Sequence, residues 1–241
     1  MTDKKGPGDH EGTDLKSLGR SAADELQARY RSEGGDEFAW FDALYERANG
    51  RRGFIPWSDA APRFKLKDWL ADKSAEGRVY SGMRALDVGC GLGDNARCLA
   101  QAGLDVTAFD ISEHAVAWAR KNAGDEGITF EVADILDLPA RWCGAFDLVH
   151  ETYNLQAMPP DYVVPAMRAI ASLVAPKGTL LVMTRGRLAH EEVTGPPRPL
   201  TKQKLEVFEL VGLELVKFEE FFSEGEYSIK HFLAEYVRHA I

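Results

Sequence analysis

Residues 85–94 read Ala-Leu-Asp-Val-Gly-Cys-Gly-Leu-Gly-Asp. An apolar run from Met83 to Val88 opens into glycine at every second position, Gly89, Gly91 and Gly93, and a helical pattern starts at Asp94 or Asn95. A strand that ends in such a turn and feeds a helix N-terminus brings bare backbone close to a ligand. The spacing is GxGxG. The dinucleotide fingerprint GxGxxG would need glycine at position 94, which is Asp. A carboxylate there is a poor neighbour for a pyrophosphate. It is tolerable beside a ligand that carries an amino group and a positive charge.

S-adenosylmethionine fits that description, and other acids stand where it would need them. Asp87, before the first glycine, either receives an ammonium group or caps the glycine turn. Asp110 ends a second apolar run, Val106 to Phe109, where a carboxylate can accept from both hydroxyls of a ribose. Ser112 already serves as the cap of the next helix. Asp134 ends a third run, with Asp137 a competing acid. The fourth run, Phe146 to Val149, leads into His150-Glu151-Thr152-Tyr153-Asn154-Leu155. His150 suits a general base, since its unperturbed pKa lies near neutrality; packing against a helix explains it equally well. Glu151 suits the cofactor's ammonium or a substrate cation, and Tyr153 the edge of a sulfonium. Arg185 and Arg187, beyond a fifth strand, invite an anionic substrate or are simply solvated. Cys90, Cys98 and Cys143 are too scattered for a disulfide frame or a zinc site, and no metal is expected.

These residues need strands to hold them. Strands are expected at about 83–88, 106–109, 128–132, 146–149 and 179–183, with helices at about 95–102, 112–122 and 162–174. After a proline-containing loop over 185–199, a helix at 201–211 precedes two strands, 213–222 and 227–238, joined by a short turn at Gly225. Strands alternating with helices imply a parallel, doubly wound sheet, and strands joined by a tight turn pair antiparallel. Before the alternation, residues 1–20 read as a disordered tail. Residues 21–75 read as helical, broken at Gly34-Gly35, with a loop holding Phe54, Ile55, Pro56 and Trp57. Residues 76–241 form the main domain.

The chain has 241 residues, 45% hydrophobic and 28% charged, enough for one α/β domain with additions. A formal net charge of −9 argues against general nucleic-acid binding, which rests on neutralising phosphates. No apolar run reaches the length of a membrane span. The expectation is a cytoplasmic protein with a small-molecule partner, no nucleic acid and no membrane, as a monomer or homodimer.

Four segments, 85–94, Thr-Ala-Phe-Asp-Ile-Ser at 107–112, Phe-Glu-Val-Ala-Asp-Ile-Leu-Asp-Leu-Pro at 130–139 and Phe-Asp-Leu-Val-His-Glu at 146–151, resemble the class I S-adenosylmethionine-dependent methyltransferases in this order. The resemblance implies a Rossmann-like fold with seven strands, mostly parallel, and a C-terminal antiparallel hairpin. It implies S-adenosyl-L-methionine as cofactor and S-adenosyl-L-homocysteine as product. The glycines would then meet the methionine part, Asp110 with Ile111 the ribose, and Asp134 with the Ile135 N–H the adenine. Ile-Pro-Trp-Ser-Asp-Ala-Ala-Pro at 55–62 is similar to the segment preceding the fold in thiopurine, thiol and halide methyltransferases. That makes Trp57 part of a lid over the cofactor, or an anchor for the N-terminal helices. Ser58 stands where that group has an acid, and Asp59 follows one later. The implied function is methylation of a small molecule, with a thiol or other soft nucleophile first. N-, O- or C-methylation of a specialised metabolite is the alternative, and a non-catalytic cofactor-binding module a third reading. No Asn-Pro-Pro-Tyr or Asp-Pro-Pro-Tyr run follows the fourth strand, which lowers the case for nucleic-acid or protein substrates.

Overall fold

The computed structural model describes residues 8–34, 36–58, 64–193, 195–223 and 228–240, with side chains from residue 15 onward. Gly35, residues 59–62, Gly225 and Tyr227, used above for a helix break, the segment after Trp57 and the final turn and strand, lie outside the described residues. The chain runs α1 (Gly8–Glu33), α2 (Ala39–Ala48), a 3-10 turn at Arg52–Phe54, α3 (Phe64–Ala75), β1 (Arg84–Val88), α4 (Asp94–Gln101), β2 (Asp105–Asp110), α5 (Glu113–Ala123), β3 (Thr129–Val132), β4 (Phe146–Thr152), α6 (Pro160–Leu173), β5 (Val174–Arg185), α7 (Lys202–Leu205), α8 (Val207–Leu210), β6 (Leu213–Phe222) and β7 (Lys230–Arg238).

The strands form a seven-stranded sheet in the order β3-β2-β1-β4-β5-β7-β6. β1 to β5 are parallel, and β7 runs antiparallel to both β5 and β6. This is the doubly wound sheet with a terminal antiparallel pair that the alternation predicts. Building outward from β1 goes first through β2 and β3, then reverses through β4. The C-terminal ends of β1 and β4 are therefore the topological switch point, where ligands of open α/β sheets bind.

Two-residue periodicity divides the sheet's side chains between two cores. Leu86, Val88, Phe109, Val149, Phe232, Ala234 and Tyr236 pack with α6 and α8. Ala85, Ala108, Leu148, Met183 and Leu233 pack with α3, α4 and α5. A third cluster joins Ala22, Leu26, Trp40, Leu44, Tyr45, Phe54 and Ile55 of the N-terminal segment to Leu92 and Ala115 of the main domain. Leu44 and Ile55 are fully buried there. Each such side chain contributes about 1.5–3 kcal/mol, so this segment is docked by a core of its own.

Two expectations need correcting. The first concerns the tail. α1 begins at Gly8, inside the segment read as disordered. Residues 8–20 carry Leu15 and Leu18 as their only large apolar side chains, but Gly19 seats the helix on the 52–54 turn: a Cβ added there would lie 1.8 Å from the Phe54 carbonyl oxygen. The second concerns β4, which runs through Thr152 instead of stopping at Val149. Its polar end stays in the sheet because partners on neighbouring elements satisfy it, with consequences for the site.

Candidate active site

A cavity of about 820 Å³ opens at the switch point. Its floor is the glycine turn and the ends of β1, β2 and β4. One wall is Ala133, Asp134 and Ile135, another is Met183, Arg185, Phe221 and His231, and α1, α2 and Trp57 form the roof.

The glycine turn is built as its spacing requires. Gly89, Gly91 and Gly93 have φ of 58°, 53° and 81°, a region costly for other residues. A Cβ at Gly89 would come within 2.2 Å of Asn154 Oδ1, and one at Gly91 within 3.1 Å of Tyr45 Oη. Asp110 fixes the turn. Its Oδ2 accepts from the Gly91 N–H at 2.8 Å and its Oδ1 from the Ser112 N–H at 3.0 Å. Burial raises its pKa, opposed by these backbone donors. Each oxygen keeps further acceptor capacity on the cavity side. Asp94, where a dinucleotide site has glycine, is ion-paired with Arg52 of the N-terminal segment. Trp57 Nε1–H donates to Tyr45 Oη at 2.9 Å, and that hydroxyl stands close over Gly91, which joins the roof to the glycine turn. Burial pushes the Cys90 thiol pKa well up, which disfavours the thiolate.

The structure divides the sequence-predicted site residues into two groups. Trp57, Gly89, Gly91, Asp110, Ile111, Asp134, Ile135 and Tyr153 line the cavity. Asp87, Gly93, His150 and Glu151 lie behind its wall. Asp134 Oδ1 accepts from the Leu136 N–H at 2.8 Å, which folds the turn that places Ile135 against the cavity. Asp137 bridges back to Asp134 instead of lining the site.

His150 is not placed as a base. It pairs with Asp87 in the β1–β4 ladder, and its side chain is fully buried. Nδ1 lies 2.8 Å from Asp87 Oδ1 and Nε2 lies 2.7 Å from Thr152 Oγ1, so both ring nitrogens are engaged inside the sheet. The physical reason is the length of β4. Three more residues in the strand take position 150 from the tip into the ladder, and the tip becomes Tyr153-Asn154.

Glu151 acts on that tip from behind. Its Oε1 accepts from the N–H groups of Asn154 at 2.7 Å and Leu155 at 3.2 Å. Burial raises its pKa to about 7. Asn154 Nδ2 in turn donates to the Val88 carbonyl at 2.7 Å, tying the tip to the glycine turn. Tyr153 itself has φ of 65°, a strained conformation for a bulky side chain, held by its N–H donating to the Met183 carbonyl at 2.9 Å. The strain turns its ring into the cavity, where its hydroxyl lies 2.9 Å from His231 Nδ1. The sequence reading missed His231 as a site residue. The strand alternation put it on a shared face with Leu233, but nothing local connects position 231 to position 153. Arg185 lines the cavity, while Arg187 does not: its guanidinium donates to the carbonyls of Pro199, Leu188, Ala189 and Glu191.

Residues 85–178 match the family model for a methyltransferase domain. The ubiquinone biosynthesis O-methyltransferase of Bordetella avium (strain 197N) is 32% identical over 169 residues, covering 69% of this chain and 61% of that protein. The chain carries a methyltransferase domain over residues 85–178, within the seven-stranded fold of the class I S-adenosylmethionine-dependent methyltransferases.

Two solved structures share the fold of this chain over nearly its whole length. Burkholderia thailandensis 1,6-didemethyltoxoflavin-N1-methyltransferase, with bound 1,6-didemethyltoxoflavin and S-adenosylhomocysteine, has a TM-score of 0.63 at 16% identity, covering 99% of this chain and 93% of its own. Magnesium protoporphyrin IX methyltransferase from Synechocystis PCC 6803, with bound S-adenosylmethionine, has a TM-score of 0.58 at 20% identity, covering 99% and 100%. The chain spans between about half and two thirds of the curated relatives it matches, 61% for the Bordetella protein and 56% for one from Xanthomonas campestris. The thiol expectation gains no support, since these proteins are named for other acceptors. S-adenosylmethionine is the family's cofactor, and the residues present fit it: the glycine cradle leaves no room for a Cβ at 89, and a buried carboxylate stands behind it.

Proposed function

We propose that this chain transfers a methyl group from S-adenosylmethionine to a hydroxyl of a small organic acceptor. The observation that carries the reading is the glycine turn locked by Asp110 at one end of a cavity whose other end holds Tyr153, Arg185 and His231. The cofactor supplies an electrophilic methyl group on a sulfonium. The chain's part is alignment and exclusion of water. Backbone at Gly89 and Gly91 holds the amino-acid part, Asp110 with Ile111 the ribose, and Asp134 with the Ile135 N–H the adenine edge. Residues 21–75, with Trp57 on Tyr45, serve as the lid. Asp87 and Glu151 hold this frame from behind. The hydroxyl acceptor is favoured by the O-methyltransferase relatives and by an acceptor half with a phenol, an imidazole and a guanidinium.

The described walls of the cavity all come from one chain, which suits a monomer or a homodimer. A net charge of −9 supports a small molecule over a nucleic acid. Among the described residues, no helix is long and apolar enough to cross a membrane. Calorimetry with S-adenosylhomocysteine, followed by turnover of methyl-labelled S-adenosylmethionine with phenols, amines and thiols, tests the reading. Hydroxyl products support it. Tight cofactor binding with methylation of none of them would leave only the binding-module reading.

A further inference from the structure

We infer that Tyr153 and His231 form a proton relay that accepts the proton of a phenol-type hydroxyl in the acceptor half of the cavity. The inference rests on the methyl-transfer reading and adds the group that makes the acceptor nucleophilic. An alcohol or phenol must lose a proton on methylation, and His150, which the sequence offers for this, is buried between Asp87 and Thr152 and does not itself line the cavity.

Tyr153 is the first residue beyond β4, and its left-handed backbone directs the ring into the cavity. Its hydroxyl is 2.9 Å from His231 Nδ1. His231 is buried but reaches the cavity wall, its ring stacked on Phe221 with centroids 5.1 Å apart and planes 17° apart. The stack and the β-ladder fix the imidazole on three sides. Arg185 on β5 is its register partner, Phe221 on β6 its other. Among the described residues, the charged groups on the elements packed beside it include Arg185, Lys230 paired with Glu220, and Lys65, which sits over Phe221 and pairs with Glu219. Arg185 lines the cavity and favours an anionic oxygen there.

The step balances within these groups. The acceptor hydroxyl gives its proton to Tyr153 Oη as the Tyr153 proton passes to His231 Nδ1. The oxygen's electron pair then forms the bond to the methyl carbon, and the carbon–sulfur pair leaves with sulfur. The positive charge lost from the sulfonium is regained as imidazolium, which releases its proton to water.

The test uses 4-nitrophenol, whose ionised form absorbs in the visible, bound to the full chain saturated with S-adenosylhomocysteine. Bound probe should ionise at a pH at least one unit below the free phenol, about tenfold in proton affinity. His231→Asn and Tyr153→Phe should each abolish the shift, while His231→Asn keeps its affinity for S-adenosylhomocysteine. A probe that stays neutral in the wild type, or does not bind, overturns the inference. So does a shift that survives His231→Asn and disappears in Arg185→Met, which would assign it to the cation alone. Failure of the wild type to bind S-adenosylhomocysteine would instead count against the methyl-transfer reading.

Discussion

Asp87 Oδ1 and His150 Nδ1 lie 2.8 Å apart across the β1–β4 ladder, both side chains buried, and neither lines the cavity. Asp87 Oδ2 finds no hydrogen-bond partner among the described residues, so the histidine is the side chain that satisfies this carboxylate there. Removing one member leaves the other stranded in the sheet. His150→Ala should therefore destabilise the fold by about 3–5 kcal/mol, read by urea unfolding. The folded fraction should keep its affinity for S-adenosylhomocysteine. Unchanged stability with collapsed turnover would return His150 to the role of base.

What the sequence shows and hides follows from where each partner sits. The cofactor half is written in short segments at strand ends, so Gly89, Gly91 and Asp110 are readable together with the turn they build. Residues 150–152 are polar and read as loop. They are strand because Asp87 lies 63 residues away and the Asn154 and Leu155 N–H groups fold back on Glu151. The Tyr153–His231 contact spans 78 residues and depends on the order β4-β5-β7, which no local pattern contains. The first turns of α1 look like a tail because few apolar residues stand there and the contact that seats them is a missing side chain, the space at Gly19.

Asp110 holds two backbone donors as well as facing the cavity. Asp110→Asn turns one acceptor into a donor pointed at an N–H group, so the glycine turn loosens before any ligand arrives. Affinity for S-adenosylhomocysteine should fall at least tenfold, on the order of 1.4 kcal/mol, by calorimetry. Melting temperature should fall with it. A variant with normal affinity would remove Asp110 from the ribose site.

Glu151 predicts a pH dependence of stability. Burial raises its pKa from 4.5 to about 7, so the folded protein holds this proton more tightly than the unfolded chain does. The stabilisation is full below about pH 4.5 and is lost as pH rises through about 7, with an upper scale of roughly 3 kcal/mol. Glu151→Gln keeps an oxygen for the Asn154 and Leu155 N–H groups but cannot ionise. Wild type should melt lower at about pH 8 than at about pH 5.5 by a margin that the variant reduces. Parallel melting curves for the two proteins across that range would place the titration elsewhere.

The roof depends on Gly19. Its missing Cβ would meet the Phe54 carbonyl oxygen at 1.8 Å and the carbonyl carbon at 2.7 Å, and backbone cannot move aside as a side chain can. Gly19→Val must lift α1 from the 52–54 turn. Lys16, Arg20, Ala23 and Gln27 of the same helix line the cavity, and Arg52 of the turn holds Asp94 at the start of α4. The displacement thus reaches the cofactor end through two routes. Affinity for S-adenosylhomocysteine should weaken by about fivefold or more, near 1 kcal/mol, and deletion of residues 1–20 should do the same. The sheet keeps its own two cores, so the main unfolding transition should move less than binding does. Full affinity in both proteins would show that α1 is not part of the roof and that the lid begins at α2.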